Sequence, residues 1–160
     1  MYNRMLVVID ASPKSPDNSL NRTIQFARMS GATVYLLHVA RGHLIPIDIS
    51  AGSRLGVPSV EDDADERERQ VVQSAVDQIA AAGVEVHGEM IEATERDVAD
   101  VVIQRAKELD VDLIVLGYQY YRGSFVAEHV IRQQPHCSIL LARPPEPATL
   151  LAGNQEPTRR

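Results

Sequence analysis

Four places in this sequence put a ligand-approachable group at the end of an apolar run or at the start of a helix. The run Met5–Ile9 (MLVVI) stops at Asp10, and Thr33–Val39 (TVYLLHV) stops at Ala40. Leu113–Leu116 (LIVL) stops at Gly117, and Gly123-Ser124 opens the next periodic segment. Beyond the carboxyl ends of parallel strands such groups are where open α/β sheets hold ligands. Asp10 there either contacts a ligand or accepts the backbone N–H groups of the turn that follows. Gly117 either lets a phosphate approach the backbone or serves the turn alone. Gly123 and Ser124 lie where backbone N–H groups at a helix start would favour an anion.

Other chemistry is poorly supported by spacing. The histidines at 38, 43, 87, 129 and 136 show no i, i+4 pair, so no metal site is expected. His38 lies inside an apolar run and reads as a packed, hydrogen-bonded residue. Cys137 sits among Pro135, His136 and Ser138, with no Lys or Arg beside it, and reads as a small buried hydrophobe. Neither Ser12 nor Ser124 belongs to a Gly-x-Ser-x-Gly elbow, so no catalytic residue is assigned. The acidic run Glu61–Glu68 reads as the solvated first part of a helix, its carboxylates favoured by the dipole.

The elements that must position these groups alternate strand and helix. Ser15-Pro16 resembles an N-cap followed by a first-turn proline. The helix it opens runs to Ser30 with Leu20, Ile24, Ala27 and Arg28 on one side, and Gly31 ends it. The second strand ends at Val39, and Ala40–Ser59 reads as a long loop. A second helix carries Val71, Val72, Ala75, Val76, Ile79 and Ala80, ending at Gly83. A third strand spans Val84 to about Ile91. Thr94 and Asp97 resemble a capping box for a helix with Val98, Val101, Val102, Ala106 and Leu109 on one face. A helix from about Ser124 to Gln133 and a strand Ser138–Ala142 complete the series. The alternation predicts a parallel sheet with helices on both faces. Residues 1–144 form one expected domain, and 145–160 an expected disordered tail.

Composition bounds the partners. Hydrophobic residues make up 44% and charged residues 24% of the 160, enough for a core without metal or disulfide. A net charge of −6 without a Lys/Arg run argues against nucleic acid and anionic membranes as partners. The apolar run near the N-terminus is too short for a signal peptide, and no segment reaches membrane-spanning length. With its single cysteine, the protein is expected to be cytoplasmic.

VVIDAS, LLHV, DLIVLG with a Gly-Ser pair downstream, and CSILLARP, in this order and spacing, resemble the universal stress protein family over Met1 to Pro144. That resemblance implies a five-stranded parallel sheet of order 3-2-1-4-5, of the adenine nucleotide alpha hydrolase-like kind. It also implies a homodimer joined through the last strands and no established reaction. Members that bind ATP share a loop of Gly, two residues, Gly, nine residues, then Gly-Ser or Gly-Thr. By the same resemblance, Asp10 and Val39 match adenine or ribose contacts, and Gly117 matches the first loop glycine.

The match then lapses. Tyr120 occupies the second glycine position, and Val130-Ile131 the final pair, while Gly123-Ser124 arrives seven residues early. Tyr118, Tyr120 and Tyr121 either stack on a base, cover the sheet edge or line a partner surface. The expected function is a non-enzymatic stress-response dimer with an unknown protein partner and weak or absent ATP binding. The alternative is a sensor of ATP or cyclic AMP, or another adenine nucleotide, with at most slow ATPase activity. A phosphorylated receiver domain fits poorly: Ile91-Glu92-Ala93 ends the third strand, and Arg143 follows the fifth where a Lys is required.

Overall fold

Unbroken apolar runs such as MLVVI and LIVL make strands when both of their faces are to be covered, and two such strands lie inside a five-stranded sheet. The computed structural model describes residues 1–9, 18–41, 60–117, 125–133 and 135–142. In chain order the elements are β1 (Arg4–Ile9), α1 (Asn18–Ser30), β2 (Thr33–Arg41), α2 (Val60–Ala81), β3 (Val86–Ala93), α3 (Val98–Glu108), β4 (Leu113–Leu116), α4 (Val126–Arg132) and β5 (Ser138–Leu141). The sheet order is β3-β2-β1-β4-β5 with every pairing parallel, as expected.

Strand alternation divides the core in two. Met5, Val7 and Ile9 of β1 face Leu20 and Ala27 of α1 and Val72, Ala75 and Ile79 of α2. Leu6 and Val8 face the other way, toward Val98, Ala99, Val102, Ile103 and Ala106 of α3 and Val126, Ala127 and Val130 of α4. Each fully buried Val, Leu, Ile or Met side chain among them contributes about 1.5–3 kcal/mol of hydrophobic stabilisation. The central strand therefore reads as a continuous run because both of its faces are buried.

Several boundaries differ from the sequence reading. β2 runs on through Ala40 and Arg41 because β3 stays in register beside it, Ala40 opposite Glu92 and Arg41 opposite Ala93. Those two residues leave the expected loop, whose remainder, residues 42–59, lies outside the described residues. β3 starts at Val86 instead of Val84 and ends at Ala93. On α1, Thr23 is buried where Arg28 was expected, and Arg28 is exposed. The stripe of α2 is narrower than expected, with Val71 and Ala80 exposed. Thr94 and Asp97 form no capping box. The Thr94 hydroxyl donates to the Asp97 carboxylate at 2.5 Å, and the Asp97 N–H donates to the Thr94 carbonyl, so a turn precedes α3. Ser15, Pro16 and the segment after Ala142 also lie outside the described residues.

Two local features hold the layers in place. Gly31 adopts φ +70°, and its N–H closes α1 on the Ala27 carbonyl, as a helix-ending glycine should. At Gly88 on β3, a Cβ would lie 2.5 Å from Cγ2 of Val76, so the missing side chain lets α2 press onto the edge strand.

Candidate functional site

The candidate site is the carboxyl edge of the sheet where chain order reverses. From β1 the first crossover leads to β2 on one side, and β4 lies on the other, so the reversal falls between β1 and β4. Ile9 is in register with His38, and Val8 with Leu116. Val39 and Gly117 each follow one of these partners, so they flank the end of β1 from opposite sides. Gly117 is buried. The Val39 side chain is also buried and packs in the core shared with α3 and α4, which leaves its backbone at the edge. Asp10, Gly123, Ser124 and the Tyr118–Tyr121 cluster lie outside the described residues.

Behind this edge stands a polar link that the sequence reading half anticipated. His38 is 4% exposed. Its Nδ1 lies 3.1 Å from the carbonyl oxygen of Ile9, the last residue of β1, and its Nε2 lies 2.9 Å from Oε2 of Glu68 on α2. His38 is packed and hydrogen-bonded as expected, but its carboxylate partner went unrecognised. A signal existed. Stepping back four residues along the buried stripe Ile79, Ala75, Val72 of α2 lands on Glu68, which therefore faces the sheet instead of belonging wholly to a solvated acidic run.

The family-type loop is also changed where it can be described. Residue 130, at the position of the expected final glycine, is Val130 inside α4, fully buried against the α3 face. α4 begins at Val126 with Phe125 as its N-cap, and that cap has no side-chain hydrogen bond.

Away from the edge, other candidate groups have structural partners. Cys137 is half-buried, and burial followed by the nearby Asp112 charge pushes its thiol above the ordinary range, which disfavours a thiolate. Arg105 of α3 pairs with Glu89 of β3 at 2.5 Å and with Glu108 of its own helix. Hydrogen bonds to Glu108 and then Glu89 raise the Arg105 guanidinium further. The side chain of Gln104, ahead of Arg105, holds the Glu108 carboxyl below its usual range. Among the described residues there is no cluster of three His, Cys, Asp or Glu able to hold a metal, and no helix is long and apolar enough to cross a membrane.

Comparison with known proteins places this geometry. The universal stress protein family matches the chain over residues 1–143. No curated protein matches it. Among solved structures, a universal stress protein family member from Burkholderia pseudomallei is 25% identical, with a TM-score of 0.65, covering 88% of this chain and 96% of its own. The universal stress protein of Archaeoglobus fulgidus, solved in complex with dAMP, is 22% identical with a TM-score of 0.62 over 89% and 98% of the two chains. A family protein from Arabidopsis thaliana, solved with AMP bound, is 19% identical with a TM-score of 0.56 over 91% and 97%. At these last two identities the likeness is one of fold.

Proposed function

We propose a function from one premise: this chain belongs to the universal stress protein family. It acts as a non-enzymatic stress-response regulator in the cytoplasm, as a homodimer whose partners are proteins, with weak or absent affinity for ATP. The observation that carries this reading is Val130. Where an ATP-binding loop would end in a glycine open to phosphate, this chain has a β-branched side chain buried in the middle of α4. Tyr120 in place of the second glycine points the same way.

The dimer reading is supported by β5. It is an edge strand with an apolar SILL sequence; Leu141 is 39% exposed, and Ile131 on neighbouring α4 is 51% exposed. Such an edge is a liability that pairing with a second copy removes.

A second reading, an adenine-nucleotide sensor, is favoured by the dAMP and AMP bound to the Archaeoglobus and Arabidopsis proteins. Val39 and Gly117 on either side of the β1 end are the described residues that would serve it, with Asp10, Gly123 and Ser124 completing the set. Isothermal titration with ATP, ADP and cyclic AMP separates the two. Millimolar or undetectable binding for all three supports the first, and a micromolar dissociation constant for any of them selects the second.

A further inference from the structure

Helix α1 differs in charge from the chain that carries it. It holds Arg22 and Arg28 and no Asp or Glu, in a protein of net charge −6. Arg22, Phe26 and Met29 fall at i, i+4 and i+7, so they line one flank beside the buried row Leu20, Thr23 and Ala27. All three are exposed, Met29 to 79%, and Arg22 makes no ion pair with another described residue. The apolar surface continues onto the residues that lead into β1. The Tyr2 ring lies 6.1 Å from that of Phe26, and Met1 is 94% exposed. Aromatic, Met and Arg side chains are the types enriched where proteins meet, and Met adapts its shape to a partner. We propose that this flank of α1 docks an acidic, leucine-bearing helical segment of a partner protein. Its carboxylates meet Arg22, and its leucines pack on Phe26, Met29 and Tyr2.

Charge selects that occupant. An acidic segment meets arginines on α1 and no carboxylate of that helix, whereas a basic one brings like charge to Arg22 and Arg28. An anionic lipid surface faces the whole chain at once, so the net charge of −6 opposes it; a short segment meets the flank alone. Spacing selects a helix, because a stripe at i, i+4 and i+7 matches leucines repeated at the same helical period. The flank is also separate from the proposed dimer, since none of its residues belongs to β5 or α4. This inference names the partner class of the regulator reading and rests on that reading's protein partner.

The test uses the full chain without nucleotide and two short synthetic peptides, with leucines at i, i+3 and i+7 among either glutamates or lysines. Amide spectra are expected to show the glutamate peptide shifting Tyr2 and the Arg22–Met29 segment saturably, and the lysine peptide leaving them in place. Arg22→Glu and Met29→Asp are each expected to weaken glutamate-peptide binding about tenfold. Both positions are exposed, and unchanged amide signals from the sheet verify that the variants fold. Raising the salt from about 0.05 to about 0.5 M is expected to weaken binding as well. The proposal is overturned by the absence of a saturable shift on α1, by equal affinity for the two peptides, or by unchanged affinity in both variants. Binding to phosphatidylglycerol vesicles in place of the glutamate peptide also overturns it, in favour of a lipid surface. Nucleotide titration, which tests the regulator reading, enters none of these arms, so either can fail without the other.

Discussion

The carboxylate of Asp112 grips the start of β1 at Arg4. Its Oδ1 accepts the Arg4 N–H at 3.1 Å and its Oδ2 the Asn3 N–H at 2.8 Å, while the Asp112 N–H donates to the Arg4 carbonyl at 3.0 Å. One residue before β4 thereby fixes the pairing of the central strand from the edge opposite the candidate site. Asp112→Ala leaves two strand-end N–H groups to water and is expected to destabilise the fold by about 1–2 kcal/mol. Urea unfolding measures the change, and Asp112→Asn should recover part of it, since its one amide oxygen can still accept.

Gly88→Ala asks whether the close approach of α2 to β3 matters. The new Cβ would meet Val76 Cγ2 at 2.5 Å, so strand or helix must shift, at an expected cost of about 1–3 kcal/mol. Val76→Ala in the same chain should recover much of that loss. A Gly88→Ala variant as stable as the wild type would show that the contact relaxes freely.

Cys137 is expected to react slowly with iodoacetamide in the native protein at neutral pH, compared with the protein in denaturant. Burial raises the folded thiol above its unfolded value, so the native state holds the proton more tightly. The associated stability is fully present below the unfolded thiol range and is lost as pH rises through the folded one. Because the Asp112 charge adds to the shift, Asp112→Asn should speed alkylation; an unchanged rate would count against that electrostatic contribution.

Leu141→Asp places a carboxylate on the exposed edge of β5 and is expected to convert the proposed dimer to a monomer without altering the far-ultraviolet spectrum. Sedimentation velocity at micromolar concentration reads the outcome. A wild-type protein that already sediments as a monomer removes the premise.

Strand identity was legible in the sequence because β1 and β4 are buried on both faces, which leaves runs such as MLVVI and LIVL little to be confused with. Helix faces were legible to within a few residues, since periodicity fixes a stripe but not its width, as Val71 and Thr23 show. What local patterns missed were contacts across the fold. The end of β2 depends on how far β3 pairs with it, the role of Glu68 depends on His38 thirty residues away, and Asp112 answers to Arg4 across 108 residues. At the candidate site, the end of β1 and the flanking Val39 and Gly117 follow from strand positions. The fate of the family-type loop became physical only when Val130 was found inside α4.

The sheet order has a consequence for how the chain is threaded. Joining β1 to β2 closes a loop of 29 residues, whereas joining β1 to β4 closes one of 108. The longer closure carries about 1 kcal/mol more entropic cost. The line between β1 and β4 is therefore the seam of the molecule, where an early half built from successive crossovers meets a late half that must find it. The candidate site lies at the carboxyl end of that seam.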